Sequence, residues 1–352
     1  MKSINNNYKN NKIGLFEYYV LIVLTSKQFF NGITFQKVLG ISNQDIWISL
    51  ILGFIFGIPF VLLLCYLNKL QINLLNTKLK HILVLLISIS FMILLNDCIN
   101  FVSLKYLFET KNLVIMLLFI ISCSIIANKN IEAIGRCATI MFYFSVLFFI
   151  INTIAVAKYI ELDNIKPIFT NGNNILKGAL YFMIYTIPSL VFLNIIPKNN
   201  TPKNQNKVLI AGYITSYIAM LIITISVISI YNYTYLELFN YPIYFVLKKI
   251  NYEFVSNAEN ILALFFITEY IFSLVIYLYI IKNYIFKFNI KIKNTLYFLS
   301  IAILSLISVY LIRNIEAINI FYYDLLTYVL LAVIIVFSLY TISKIIKKNT
   351  NT

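Results

Sequence analysis

Residues 15–32 read LFEYYVLIVLTSKQFFNG, an apolar run that polar residues interrupt from Thr25 to Gln28. With its flanks, the apolar segment extends from about Gly14 to Phe35, and a helix needs roughly 20 residues to cross a bilayer. In lipid, every backbone polar group must find its partner inside the protein. The run is continuous rather than alternating, so it predicts a transmembrane helix and not a strand of a membrane barrel.

The rest of the 352-residue chain has the same character, with 61% hydrophobic and 12% charged residues and a mean hydropathy of +0.86. A soluble domain typically has about a quarter of its residues charged. The polar segments are too short to form a separate soluble domain. The composition therefore predicts an all-α, polytopic membrane protein with one membrane domain over residues 1–352.

Ten transmembrane helices are predicted from the apolar runs. They cover residues 14–35, 45–67, 81–107, 112–127, 136–157, 175–196, 207–231, 258–284, 292–312 and 321–346. Residues 1–12 are expected to form a disordered tail, and residues 241–252 a short interfacial helix. The first five helices occupy residues 13–158, a polar loop covers 159–174, and the last five helices occupy 175–346.

The loop charges predict the orientation of these helices. Basic residues in the two tails and in the loops after predicted helices 2, 4, 6 and 8 outnumber those in the other loops by about two to one. Acidic residues have the opposite bias. Because cytoplasmic loops carry an excess of Lys and Arg, we expect both termini in the cytoplasm and the 159–174 loop outside it.

Several functional classes are excluded by the residues that the chain lacks. The net charge of +15 comes with no basic motif or soluble nucleic-acid module, so no nucleic-acid partner is expected. The single histidine, His81, excludes a multi-histidine metal site. The sequence has no phosphate-binding loop, metal-ligand cluster or nucleophile–histidine pair. We expect neither enzymatic activity nor a metal or cofactor.

Ionisable residues at membrane depth are costly, and are therefore candidates for function. Lys27 lies in predicted helix 1, Asp97 in helix 3 beside Asn96 and Asn100, and Glu269 in helix 8. Lys27 and Asp97 have opposite charges at similar depth, so we hypothesise that they form an ion pair. The alternative is that polar groups here only fix helix packing.

Two predicted helices contain interruptions. Polar residues and Gly32 interrupt helix 1, and Pro188 lies within helix 6, where it removes a backbone hydrogen bond. These are the first helices of the two five-helix halves. Interrupted helices at corresponding positions are typical of transporters with inverted repeats, whose ligand sites lie near the bilayer midplane.

Four segments resemble a known family in their order and spacing. They are Gln44–Ser49 (QDIWIS), Asn130–Arg136 (NIEAIGR), Pro167 with Gly172 and Ile175–Gly178 (ILKG), and Tyr241-Pro242 followed by Glu259. Together they are similar to the spore germination permeases, the B-type subunits of nutrient germinant receptors in endospore-forming bacteria. The chain departs from that pattern at Asn260, where the family usually has Arg, and at Lys27-Gln28, in a part of helix 1 that is usually apolar.

The resemblance implies a fold and partners. It implies a LeuT-like 5+5 inverted repeat, as in amino-acid permeases of the amino acid–polyamine–organocation superfamily. It also implies a place in the inner membrane of the spore, an A-type and a C-type receptor subunit as partners, and a nutrient germinant, often an amino acid. Glu132 and Arg136 would then form an ion pair at a cytoplasmic hinge.

The leading hypothesis is a germinant receptor subunit that binds a small amino-acid-like nutrient between helices 1, 3, 6 and 8. The alternatives are a secondary transporter for an amino acid or amine, coupled to a proton or cation through Asp97 or Glu269, and a scaffold that anchors partner subunits. The candidate ligand-binding residues are Thr25, Ser26, Lys27, Asn96, Asp97, Asn100, Thr186, Ser189, Glu269, Tyr270 and Ser273.

Overall fold

The computed structural model describes residues 12–30, 32–72, 74, 77, 79–197, 200–202, 204–249, 258–285, 301, 303, 307 and 318–349. Apart from three isolated positions, predicted helix 9 lies outside the described residues, and so does the tail before residue 12. Within the described ranges the chain is built from helices and connecting turns, without a strand. The predicted all-α class is confirmed.

The helices are numbered in chain order. They are α1 (Leu15–Ser26), α2 (Ile33–Ser42), α3 (Ile46–Lys69), α4 (Lys80–Lys105), α5 (Asn112–Ala127), α6 (Ile131–Ala157), α7 (Gly172–Asn194), α8 (Gln205–Ile230), α9 (Tyr233–Leu236), α10 (Pro242–Leu247), α11 (Ala258–Ile285) and α12 (Ile318–Asn349). Short 3-10 turns at Asn43–Asp45 and Leu162–Ile165 precede α3 and α7.

Seven helical spans among the described residues are long and apolar enough to cross a membrane. They are residues 34–69, which include α2 and α3, and then 80–105, 131–157, 172–194, 205–230, 264–285 and 324–346. The apolar helices α1 and α5 are shorter. The chain is therefore an integral, polytopic membrane protein, and the count of ten helices stays a prediction.

The predicted interruptions have different outcomes in the two helices. The first helix is broken, because α1 ends at Ser26 and α2 begins at Ile33. The predicted interruption of helix 6 is wrong, since α7 continues through Pro188 to Asn194. Packing against neighbouring helices lets membrane helices tolerate a proline, and α7 packs along α1, α3 and α12.

The predicted start of helix 5 is also corrected. Helix α6 begins at Ile131 rather than Arg136, so Glu132 and Arg136 lie in its first two turns and not in the preceding loop. Glu132 is in the first turn, where a carboxylate interacts favourably with the helix dipole.

Helix α1 lies at the centre of the bundle. It packs against α6, α7, α8 and α11, and all its residues from Tyr18 to Ser26 except Tyr19 are buried. Helix α3 packs along α7 and α8, and α4 packs along α11 and α12. In contrast, α6 lies at the periphery of the bundle, because few of its residues are buried.

Small residues allow the central helices to approach closely. A Cβ added to Gly57 of α3 would lie 2.0 Å from the hydroxyl of Tyr213 on α8, which donates to the Phe54 carbonyl at 2.8 Å. A Cβ on Gly212 would lie 2.6 Å from Ile22 of α1. Glycine at such positions is a common device of membrane helix packing, because it lets backbones come close.

A buried carboxylate joins the segment between α6 and α7 to the start of α3. The Asp45 carboxylate accepts hydrogen bonds from the backbone N–H groups of Phe169 and Thr170, at 2.9 and 2.8 Å, and from the Thr170 hydroxyl. Gln44 donates to the carbonyl of Pro167 at 3.0 Å. Two of the segments that resembled the spore germination permeases therefore contact each other in space.

A tight contact at Gly178 of α7 lies close to this junction between the start of α3 and the segment before α7. The Ser49 hydroxyl donates to the Ile175 carbonyl at 3.0 Å and lies 2.9 Å from the Ser42 hydroxyl, within hydrogen-bond distance. A Cβ added to Gly178 would lie 2.0 Å from the Ser42 hydroxyl oxygen. Helices α2, α3 and α7 meet at this point, so the contact fixes their separation.

We predict that Gly178→Ala lowers the free energy of unfolding by about 1–3 kcal/mol, because the new methyl group overpacks this contact. Gly172→Ala is the matched control, since nothing lies within 4 Å of a Cβ at that position. Thermal unfolding of the detergent-purified chain can be followed with a thiol-reactive dye, because cysteines such as Cys98 are buried until unfolding. Equal melting temperatures for the two variants would contradict the prediction.

Candidate ligand-binding site within the membrane helices

The break in the first helix follows from its local sequence. The hydroxyls of Thr25 and Ser26 donate to the carbonyls of Leu21 and Ile22, at 2.8 and 2.6 Å. After Ser26 the chain continues in turns, with the N–H of Gln28 donating to the Thr25 carbonyl. Serine and threonine bonds of this kind compete with regular helix bonding and often bend helices.

The break directs Lys27 toward α11. Its ammonium group lies 2.5 Å from the Glu269 carboxylate, and the two side chains are 14% and 5% exposed. The hypothesis that Lys27 pairs with Asp97 is therefore wrong, because Glu269 is its ionic partner. Gln28 forms a second link to α11 by donating to the Tyr277 hydroxyl.

Asp97 of α4 lies in a separate polar cluster. Its carboxylate accepts hydrogen bonds from the hydroxyls of Tyr270, at 2.7 Å, and Tyr241, at 3.3 Å. A Cβ added to Gly32 would lie 2.1 Å from this carboxylate. Glu269 and Tyr270 are consecutive residues of α11, and consecutive residues of a helix point about 100° apart. The ion pair and the Asp97 cluster therefore occupy different faces of α11.

A cavity of about 310 Å³ adjoins the ion pair. It lies between α1, α6, α8, α10 and α11, and its wall is mainly aliphatic and aromatic. Its lining residues are Tyr19, Val23, Leu24, Lys27, Phe142, Ser145, Val146, Phe149, Asn152, Thr153, Val156, Thr215, Ile218, Ala219, Ile222, Ile223, Ser226, Val227, Ile243, Val246, Leu247, Phe265, Phe266 and Glu269. Concave, largely apolar spaces with a few polar groups are the usual form of small-molecule sites.

Of the predicted ligand-binding residues, only Lys27 and Glu269 line this cavity. Thr186 shares a hydrogen bond with Tyr217 at 2.8 Å, while Ser189 and Ser273 donate to carbonyls of their own helices. Asn96 is buried and Asn100 half-buried on α4. The cavity lies beside predicted helices 1, 5, 7 and 8, and not between helices 1, 3, 6 and 8 as expected.

Sequence reasoning missed the contribution of α6. Ser145, Phe149, Asn152 and Val156 all line the cavity and follow a spacing of four, three and four residues. Residues with this spacing share one face of a helix. Polar residues recurring on one face of an otherwise apolar helix were the signal that could have identified it.

The predicted ion pair of α6 is joined by a second carboxylate. Arg136 lies 2.5 Å from Glu132, and 3.8 Å from Glu17 in the first turn of α1. Ile13 and the Glu17 side chain also pack against Gly135. Since the Arg136 side chain is 69% exposed, the energy of each pair is small, about 1 kcal/mol or less. The contact nevertheless ties the start of α6 to the start of α1.

Comparison with known proteins identifies related sequences. Residues 13–317 match the profile of a family described as "Spore germination protein". The chain is 25% identical over 256 residues to YfkT of Bacillus subtilis (strain 168), a match that covers 68% of this chain and 70% of that protein. The name of YfkT assigns it provisionally to spore germination.

We predict that Lys27→Met destabilises the chain by about 3–5 kcal/mol, because the Glu269 carboxylate loses its cation in a medium of low dielectric constant. Lys37→Met is the matched control. Lys37 pairs with Asp324, which is 47% exposed, so its loss should cost about 1 kcal/mol or less. Thermal unfolding in detergent measures both. The combined Lys27→Glu and Glu269→Lys variant should recover stability, and failure to recover would contradict an ionic role.

We also predict that Gly32→Ala is destabilising by about 1–3 kcal/mol, because its methyl group would displace the Asp97 carboxylate from the tyrosine hydroxyls. Gly40→Ala provides the comparison, since the nearest atom to a Cβ there is 3.9 Å away. The same unfolding assay applies. A Gly32→Ala variant as stable as Gly40→Ala would mean that the carboxylate is not held at this place.

Proposed function

The chain belongs to the spore germination protein family, and from this premise we propose that it is the ligand-binding membrane subunit of a nutrient germinant receptor. A small amino-acid-like nutrient binds in the cavity beside Lys27 and triggers germination. The observation that carries the proposal is the Lys27–Glu269 ion pair at the wall of this cavity. Charged groups inside a membrane are costly to keep, and they usually mark a substrate or ion site.

The helix packing supports a LeuT-like fold of five plus five helices within one membrane domain. Predicted helix 1 corresponds to α1 with α2, helix 2 to α3, helix 5 to α6, helix 6 to α7, helix 7 to α8 and helix 10 to α12. An inverted repeat relates helix 1 to 6, 2 to 7 and 5 to 10, so a contact within one set requires the equivalent contact in the other. The contact of α1 with α6 has its equivalent in that of α7 with α12, and the contact of α3 with α7 has its equivalent in that of α8 with α1.

In the proposed mechanism, the chain can adopt two conformations at the break after Ser26, and the receptor switches between them. A ligand that contacts both Lys27 and Glu269 changes how α1 and α11 are joined. It shifts the equilibrium between two conformations only by its difference in affinity for them. The contact of Arg136 with Glu17 and Glu132 links α1 to α6, so a movement of α1 is passed to the helix that forms the outer wall of the cavity.

The proposed setting is the inner membrane of the spore, with both termini in the cytoplasm. The loop charges support this orientation, because basic residues concentrate in alternate loops. In this setting the Glu17–Glu132–Arg136 contact lies at the cytoplasmic end and acts as a hinge. The proposed partners are an A-type and a C-type receptor subunit, which carry the signal onward.

Secondary transport of an amino acid or amine is the second candidate, and Asp97 is the observation that favours it. Its buried carboxylate lies between two tyrosine hydroxyls within the membrane helices. Buried carboxylates take part in proton relays in membrane pumps and transporters. Uptake of a labelled amino acid by proteoliposomes that contain this chain alone, lost on Asp97→Asn, would favour transport over sensing.

We predict that spores lacking this chain lose their response to at least one nutrient in a panel of amino acids, sugars and nucleosides. Spores with Ala219→Phe, which fills the cavity and keeps the ion pair, should respond to the same nutrient only at concentrations at least about tenfold higher. The optical density of spore suspensions measures germination. Lys37→Met, outside the cavity, is the control and should respond normally. Unchanged germination of the deletion spores would contradict the proposed function.

A further inference from the structure

The charged and apolar parts of the cavity are separated, and this separation restricts what can bind there. Among the described residues that line it, Lys27 and Glu269 are the charged ones. The remaining wall is dominated by side chains such as Phe149, Val246 and Phe265. If this cavity is the ligand site, as the proposed function holds, its chemistry also defines the class of ligand.

The ion pair has no net charge, and a bound ligand should leave it so. A zwitterion satisfies this condition, because its carboxylate can approach Lys27 while its ammonium group approaches Glu269. An anion or a cation alone would leave one unit of charge without compensation in a region of low dielectric constant, which is strongly unfavourable. The pair therefore favours ligands that carry both charges.

The polar side chains of the wall have few free donors to offer a ligand. Thr153 donates to the carbonyl of Phe149 at 2.8 Å, and Ser226 donates to that of Ile222 at 2.8 Å. Ser145 donates to the Met141 carbonyl at 3.0 Å. A sugar or a nucleoside has several hydroxyl oxygens that need donors, and the hydroxyl hydrogens of these three residues are already bonded to backbone carbonyls. Because unpaired polar groups are costly to bury, such ligands are less favoured in this wall than an apolar side chain.

The size of the cavity adds a further limit. At about 310 Å³ it is near the lower end of the range for ligand pockets, roughly 300–1,000 Å³. A single amino acid fits this volume, whereas a peptide of several residues is large for it. We propose that the cavity selects α-amino acids with bulky aliphatic or aromatic side chains, held by the Lys27–Glu269 pair and by the apolar faces of α6, α8 and α11.

Binding to the full-length chain in lipid nanodiscs tests this ligand class by calorimetry. L-Leucine is compared with isocaproate, which lacks the ammonium group, isopentylamine, which lacks the carboxylate, and L-serine, which lacks the apolar side chain. Leucine should bind at least about tenfold more tightly than serine, since burial of the leucine side chain adds several methylene equivalents. It should also bind at least about tenfold more tightly than isocaproate or isopentylamine, since each of these brings one uncompensated charge to the ion pair. Equal affinity for any of the three analogues would overturn the proposal.

A substitution in the cavity wall tests whether leucine binds in this cavity. Ala219 lines the cavity, so Ala219→Phe should fill it and weaken leucine binding at least about tenfold. Ala211→Phe, at an exposed position on the same helix, should bind leucine normally. The melting temperature without ligand shows whether each variant is folded. Unchanged leucine binding by a folded Ala219→Phe chain would put the site elsewhere and overturn the proposal.

The outcomes also separate this inference from the proposed function. If serine, glucose or inosine binds more tightly than leucine, and a folded Ala219→Phe chain binds it less tightly, the cavity remains the receptor site and only the ligand class is wrong. If none of these probes binds the wild-type chain, the ligand class and the use of the cavity as the receptor site both fail.

Discussion

The buried ion pair between Lys27 and Glu269 is the constraint on which the centre of the bundle depends. Two opposite charges are stable in the membrane interior only if they are held in contact. That contact requires Lys27 to leave the regular course of α1, which the break after Ser26 allows. It also requires α11 to lie beside α1, and the cavity occupies the space that α6 leaves open behind these two helices.

Many of the helices could be predicted from the sequence, because long apolar runs follow directly from the cost of placing polar groups in lipid. The ends of α5, at Asn112 and Ala127, coincide with the predicted ones. Lys27, Asp97 and Glu269 were identified as unusual for the same reason. The broken first helix was also predicted, since a lysine and a glycine interrupt its apolar run.

The pairing of these charges could not be predicted. Depth along a helix can be read from the sequence, but the direction in which a side chain points depends on how neighbouring helices are rotated. Glu269 and Tyr270 have nearly the same depth, and they nevertheless contact different partners, Lys27 and Asp97. Pro188 shows a second limit, because neighbouring side chains decide whether a proline interrupts a helix or is accommodated in it.

The ion pair also has a consequence for biogenesis. Lys27 and Glu269 are 242 residues apart in the chain. At a synthesis rate of roughly 5–20 residues per second, Glu269 is therefore synthesised on the order of 10–50 s after Lys27. A lone lysine near the middle of a helix costs about 2.5–3.5 kcal/mol on insertion scales. The apolar run from Tyr18 to Leu24 must therefore carry the first helix into the bilayer unaided, and the ion pair forms only during late assembly of the bundle.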